Sequence, residues 1–442
     1  MNRIKNTLLF VSMTLLMAGC SKVTSVFDSD ADKPKLEGER ISVLELQKTL
    51  EPEGEKHELL APDPWNNAFW PQAGGYPNHS MQNPALGKEP GRAWKTSIGS
   101  GSGSLPLTAQ PVIAEGRVYT LDTDSSLRAF DIQSGKKLWE TSVENDEEDE
   151  DVLSGGVSYS DGFLFVTNGY DEVLKIKAAD GSITWRKNIP APSRAAPTVI
   201  DNKIYLITLD NRVLALDENT GDTLWAYVGI VETAGLLGAA SPAANSDIVV
   251  AVFSSGEVTA LRVENGSVAW SDNISSARQY GGGIESLSDI KALPVLDHGL
   301  VIILSFGGKL VAFDQTSGAR VWQREIGGAE TPWVAGNFLF VLSNDQQLIA
   351  LSLEDGRIIW VTPLPRYENE KKKSDPILWK GPVMGSGRLI LSGTDGNMIE
   401  VNATNGKILG RWDSDRTPAV PPAIAANTLL LLSTNGELAA YR

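Results

Sequence analysis

Few residues of this chain are of a type that does chemistry unaided, and their spacing decides what that chemistry could be. Cys20 is the only cysteine among 442 residues. That rules out an intrachain disulfide and a thiolate metal cluster, and leaves one thiol open to covalent modification. The three histidines, His57, His79 and His298, lie far apart and suggest no grouping of nucleophile, base and orienting residue. Asp124, Asp210, Asp345 and Asp395 look like a carboxylate set for a calcium ion or a general base. Each, however, stands five residues before the same column of a repeated unit, where Asp and Asn supply turn conformations. The glycine-rich runs at 99–103 and 281–283 lack the following Lys-Ser/Thr or strand-turn-helix context of a phosphate loop. No catalytic residue, metal ligand or cofactor site is expected from these patterns.

The elements that must carry these residues are copies of one unit. Its alanine column reads Ala129, Lys175, Ala215, Ala260, Ala312, Ala350, Glu400 and Ala440. Eighteen residues earlier stands a proline in every copy but one, where Val157 replaces it. Six residues after the column comes a glycine, and four later a tryptophan, as in Gly135 and Trp139 or Gly318 and Trp322. Gly410 occupies the tryptophan column of the seventh copy. Each copy holds four runs rich in β-branched and aromatic residues or Leu, such as 195–200, 203–209, 212–217 and 223–227. They are separated by Asp201-Asn202, Asp210-Asn211 and Asn219-Thr220-Gly221, residues suited to hairpin turns. Four strands in a unit of about 45 residues predict a propeller blade. The expected fold is therefore all-β, an eight-bladed β-propeller. Its last copy stops at Arg442 before any tryptophan, and the missing one is supplied by Trp94. The N-terminal strand should thus close the ring on the C-terminal blade.

A formal net charge of −16 excludes nucleic acid as a partner, since phosphate is bound by surplus Lys and Arg. The acidic run 147–151 and Lys371, Lys372 and Lys373 fall in connectors and read as solvated surface. Trp65, Phe69, Trp70 and Tyr76 read as a cap on the propeller core. All length variation lies between the tryptophan of one unit and the proline of the next, from 10 residues (Trp322 to Pro332) to 24 (Trp270 to Pro294). Insertions confined to one face mark the binding face of a repeat protein.

At the N-terminus, Arg3 and Lys5 precede an apolar run at 7–17 and then Ala18-Gly19-Cys20. This resembles a bacterial lipoprotein signal, which implies removal of residues 1–19 and acylation of Cys20. With Ser21, not Asp, after the cysteine, the resemblance implies the periplasmic face of the outer membrane. Residues 20–64 read as the lipidated N-terminus and tether, with Arg40–Leu46 the stretch able to pair as an extra strand. The propeller is expected over 65–442.

The repeat pattern, clear at Ala129–Trp139 and Ala312–Trp322, is similar to the tryptophan-docked repeats of quinoprotein dehydrogenases. That likeness makes a pyrroloquinoline-quinone-dependent periplasmic oxidoreductase the alternative reading, although the adjacent cysteine pair of those enzymes is missing. A lipoprotein signal before such a propeller more closely resembles the BamB family of the outer-membrane β-barrel assembly machinery. This resemblance implies a non-catalytic scaffold that binds the periplasmic domains of BamA and other machinery subunits. It also implies help in folding and inserting outer-membrane proteins, with unfolded clients as further candidate partners. Carried over residue by residue, it marks Arg194 and Asp289 as partner-binding. A sugar- or peptidoglycan-binding lipoprotein is a third reading.

Overall fold

The computed structural model describes residues 50–54, 61–145, 152–229, 240–275 and 290–442. Its strands assemble into eight four-stranded antiparallel sheets, seven of them from consecutive strands. These are blade 1 (112–142), blade 2 (156–188), blade 3 (198–228), blade 4 (243–273), blade 5 (295–324), blade 6 (333–363) and blade 7 (379–413). Blade 8 joins Ala423–Ala425, Thr428–Leu432 and Glu437–Tyr441 to the N-terminal strand Arg92–Ser97. The expected closure is thereby found, with Trp94 opposite Ala440.

The repeat columns have a common mechanical role. In the third strand of a blade the alanine faces the tryptophan of the fourth, as Ala129 faces Trp139 and Ala260 faces Trp270. A bulge follows the alanine at once, which twists the outer strand and turns its indole toward the next blade. There the ring lies flat on the conserved-spacing glycine. A Cβ on Gly135 would meet Trp94 at 2.5 Å, and one on Gly318 would meet Trp270 at 2.5 Å. Both glycines have positive φ, so neither space nor backbone admits a side chain. Except at Trp185, the indole N–H then donates to a carbonyl of the neighbouring blade, Trp94 to Ile132 at 2.9 Å and Trp322 to Leu353 at 2.8 Å.

Two blades break the alanine rule with charge. Lys175 is buried, donates to the Glu218 carbonyl at 3.0 Å and sits 4.2 Å from the Phe163 ring centroid. Glu400 is buried beside Arg388 at 2.9 Å, with the Trp412 indole 3.3 Å away. Buried charge without such partners would be costly.

The segment before the closing strand seals one end of the central channel. It makes one full lap, touching the blades in ring order. Asn67 bonds blade 8 through Ile424 and Ala426. Trp70 exchanges both backbone bonds with Ile113 of blade 1, and the Pro71 carbonyl takes the Tyr159 N–H of blade 2. The Gln72 side chain brackets Val199 of blade 3 at 2.7 and 3.0 Å. Pro77, Asn78, Gln82 and Pro84 then reach Ala244, Leu296, Trp333 and Ser386 of blades 4 to 7. All these contacts lie where the first strand turns into the second, on the face opposite the connectors. The expected aromatic cap is present: Trp70 is buried and stacks on Trp333, and Trp65 stacks on Tyr76.

Candidate partner-binding face

Because the cap closes one end, the channel is, among the described residues, a funnel that opens toward the connectors. Residues just ahead of each first strand line it, including Gln110, Ser241, Leu293 and Thr331, with Ala73 of the cap as floor. Its volume is about 140 Å³, close to a cavity that holds one benzene-sized group.

Arg194 lies at this mouth, half-buried, on the connector into blade 3. The connector is fixed beneath it. Pro192 accepts the Leu209 N–H at 2.8 Å, and the buried Ser193 hydroxyl donates to the Ala195 carbonyl at 3.2 Å. The Arg194 guanidinium itself makes no hydrogen bond or ion pair among the described residues. Lys291 and the Lys380–Glu330 pair, 2.9 Å apart, complete a mouth richer in cations than the chain as a whole. Cys20 and Asp289 lie outside the described residues, as do His57, the acidic run 147–151 and Arg40–Leu46.

Sequence reasoning missed the apolar part of this face. Leu209 is 43% exposed, Val228 58% and Leu378 56%, each at the connector end of its blade. The signal was available: Leu209 sits in a turn column that most other copies fill with Thr, Ser, Asn or Gly.

The four aspartates stand at turns of four different blades. Each is followed by a residue of positive φ: Ser125, Asn211, Gln346 or Gly396. Asp210 binds Arg212 at 2.6 Å, Asp395 binds Arg411 at 2.6 Å, and Asp345 faces Arg366 at 3.5 Å. Asp124 accepts from Ser100. Their carboxylates are thus used locally, within or beside their own turns. His298 pairs with Asp297 in a turn of blade 5, and His79 is enclosed in the cap.

Fold and face together define an eight-bladed, tryptophan-docked propeller with one sealed end and one irregular, open end. The sequence profile of the outer membrane protein assembly factor BamB family matches residues 85–152 and 123–362, and the chain belongs to that family. The outer membrane protein assembly factor BamB of Yersinia pestis is 26% identical over 360 residues, 80% of this chain and 88% of that protein. The one from Escherichia coli K12 is 27% identical over 349 residues, 78% and 86% of the two chains. Among solved structures, BamB from Moraxella catarrhalis aligns with a TM-score of 0.68 at 18% identity, covering 80% of this chain and 99% of that one. A quinohemoprotein alcohol dehydrogenase from Pseudomonas putida HK5 aligns with a TM-score of 0.66 at 12% identity, covering 85% and 80%. At such identities the structural likenesses concern the fold alone.

Proposed function

We propose that this chain is a non-catalytic scaffold lipoprotein of the outer-membrane β-barrel assembly machinery. It is held at the periplasmic face of the outer membrane by acyl chains on Cys20. Its connector face binds the periplasmic domains of BamA and aids the folding and insertion of outer-membrane proteins. Family membership over residues 85–362 carries the reading. The connector face supports it chemically, because it holds an arginine with no partner among the described residues, a residue type enriched in interfaces, next to exposed apolar surface at Leu209 that a partner could cover.

The quinone-dependent alternative finds less support. The carboxylates that would serve calcium or a base are turn residues on separate blades, and the funnel holds little more than one aromatic ring. Titration with quinone and calcium tests it, and a stoichiometric spectral shift with alcohol oxidation would establish it.

Affinity purification of the lipidated protein from membranes tests the main reading. BamA is expected among the co-purifying proteins. Folded, membrane-bound protein that brings down no assembly subunit would refute it.

A further inference from the structure

After its outer strand Ile358–Pro363, blade 6 does not pass directly to blade 7. The chain first forms a separate hairpin, Tyr367–Asn369 paired with Ser374–Pro376, the one sheet outside the blades among the described residues. Its base is locked into the core. Leu364, Ile377 and Trp379 are buried, the Trp379 indole donates to the Pro365 carbonyl at 2.9 Å, and Ile377 N–H donates to Arg366 at 2.9 Å. Its tip is also built. The Glu370 carboxylate accepts the backbone N–H groups of Arg366 and Tyr367 at 3.0 and 3.3 Å, and Asn369 accepts that of Lys372 at 3.1 Å. This scaffold displays Lys371, Lys372 and Lys373 to solvent. None of the three ammonium groups makes a hydrogen bond or ion pair among the described residues.

The same blade carries residues 50–53, the described stretch nearest to Cys20 in the chain. Glu53 N–H donates to the Ile358 carbonyl at 2.7 Å, its carboxylate pairs with Arg324 at 3.1 Å, and Leu50 packs on the apolar cluster of blades 5 and 6. The outer strand of blade 6 is correspondingly covered: Ile358 is 4% exposed, whereas Leu138 and Val268 on other outer strands are 47% and 46% exposed.

We propose that blade 6 is the membrane-facing edge of the molecule, with the Lys371–Lys373 hairpin resting on anionic lipid headgroups. A chain of formal charge −16 is repelled as a whole by an anionic surface. Three lysines that make no ion pair among the described residues stand together at the tip of this hairpin, beyond its exposed Glu368, Glu370 and Asp375, and are attracted to that surface, so the contact orients the disc. Thirty residues of chain, the number between Cys20 and Leu50, can reach at most on the order of 100 Å, so an acyl anchor sets a reach and a contact on the propeller itself sets an orientation. Each lysine at a charged lipid surface strengthens binding roughly fivefold, so three contribute on the order of a hundredfold.

The proposal takes its setting from anchoring at Cys20, but its test does not depend on it. The mature chain carrying Cys20→Ser is mixed at low salt with vesicles of phosphatidylcholine alone, or of phosphatidylcholine and phosphatidylglycerol in equal parts. It should co-sediment with the anionic vesicles only and be released by salt. Lys371→Glu with Lys372→Glu and Lys373→Glu should weaken that binding on the order of a hundredfold at unchanged melting temperature. Reversal of the exposed Lys136 and Lys407 should leave it nearly intact. Binding to neutral vesicles, equal binding by the triple variant, no binding by the parent chain, or capture of an acidic protein instead of lipid would each overturn the proposal. A failure of the anchoring reading shows separately, as outer-membrane fractionation that survives Cys20→Ser in cells.

Discussion

Trp94 stands opposite Ala440 in the closing sheet, in the register that Trp139 holds against Ala129 within a single blade. The two ends of the chain thus rebuild one blade from parts. Gly91 and Arg442 exchange backbone hydrogen bonds at 2.8 and 3.0 Å just beyond it, where the other blades have a turn.

Deleting residues 435–442 should therefore cost far more than eight residues usually do. It removes the strand Glu437–Tyr441 that holds Arg92–Ser97, and leaves two unpaired edges in an otherwise closed ring. The expected result is loss of the cooperative thermal transition, or aggregation on expression. A truncated protein that melts like the parent would show that closure is not what holds the ring.

Gly410 explains why one copy lacks its tryptophan. Every docked indole needs a glycine turn on the next blade, and blade 8 has none, because Gly91 pairs with Arg442 where that turn stands in the other blades. Gly318→Ala, at φ 71° and against Trp270, should destabilise by about 2 kcal/mol or more. Gly410→Ala, where a Cβ meets nothing within 4 Å, should stay within about 0.5 kcal/mol of the parent. Denaturant titration of the two variants checks this contrast.

The blades were legible in the sequence because the contacts that shape them join neighbouring strands and adjacent copies of one repeat. Pro, Ala, Gly and Trp recur at fixed distances, and the turn residues between them name their own conformations. Even ring closure was visible, as a tryptophan missing at one end and present at the other. The lap of residues 67–84 around the sealed face was not. Its bonds run mainly through backbone groups, the farthest joining Asn67 to Ala426, and backbone groups carry no sequence signature. The connector face was placed by its length variation, yet Leu209 and Val228 showed their exposure only in three dimensions.

His79 gives the cap a pH dependence. The ring is fully buried, its Nδ1 lies 2.7 Å from the Pro294 carbonyl oxygen, and its Nε2 has no partner among the described residues. Burial pushes its pKa down to about 4, only partly offset by that hydrogen bond. In the unfolded chain the group titrates near 6.5, so between these values the unfolded state binds the extra proton. Stability is then complete above about pH 6.5 and falls toward pH 4, by about 3 kcal/mol from this group. His79→Asn tolerates the positive φ of this site and can still donate to Pro294. It should flatten the fall in melting temperature over that window. An unchanged profile would place the acid sensitivity elsewhere.

Anchoring is tested by Cys20→Ser. Two or three acyl chains hold a protein stably on a membrane, whereas one gives marginal binding. The variant should leave the outer-membrane fraction and appear in the soluble periplasm at normal melting temperature. Sedimentation with outer membranes despite the substitution would mean that protein contacts suffice.

The connector face is tested by reversing its charges. Arg194 is a cation there whose planar fork has no partner among the described residues and can grip a carboxylate in two places. It stands on a connector pinned by Pro192 and Ser193, so it needs no reordering to bind. Arg194→Glu with Asp289→Arg should weaken capture of BamA from membranes at least tenfold, because charge reversal adds repulsion to the lost contact. Melting temperature should not change, since Arg194 has no partner among the described residues to lose. Leu209→Asp should act in the same direction through the apolar part of the face, where Leu209 is 43% exposed. If both variants fold normally and capture BamA undiminished, the binding site lies off these connectors, and the rim or the capped face becomes the surface to mutate next.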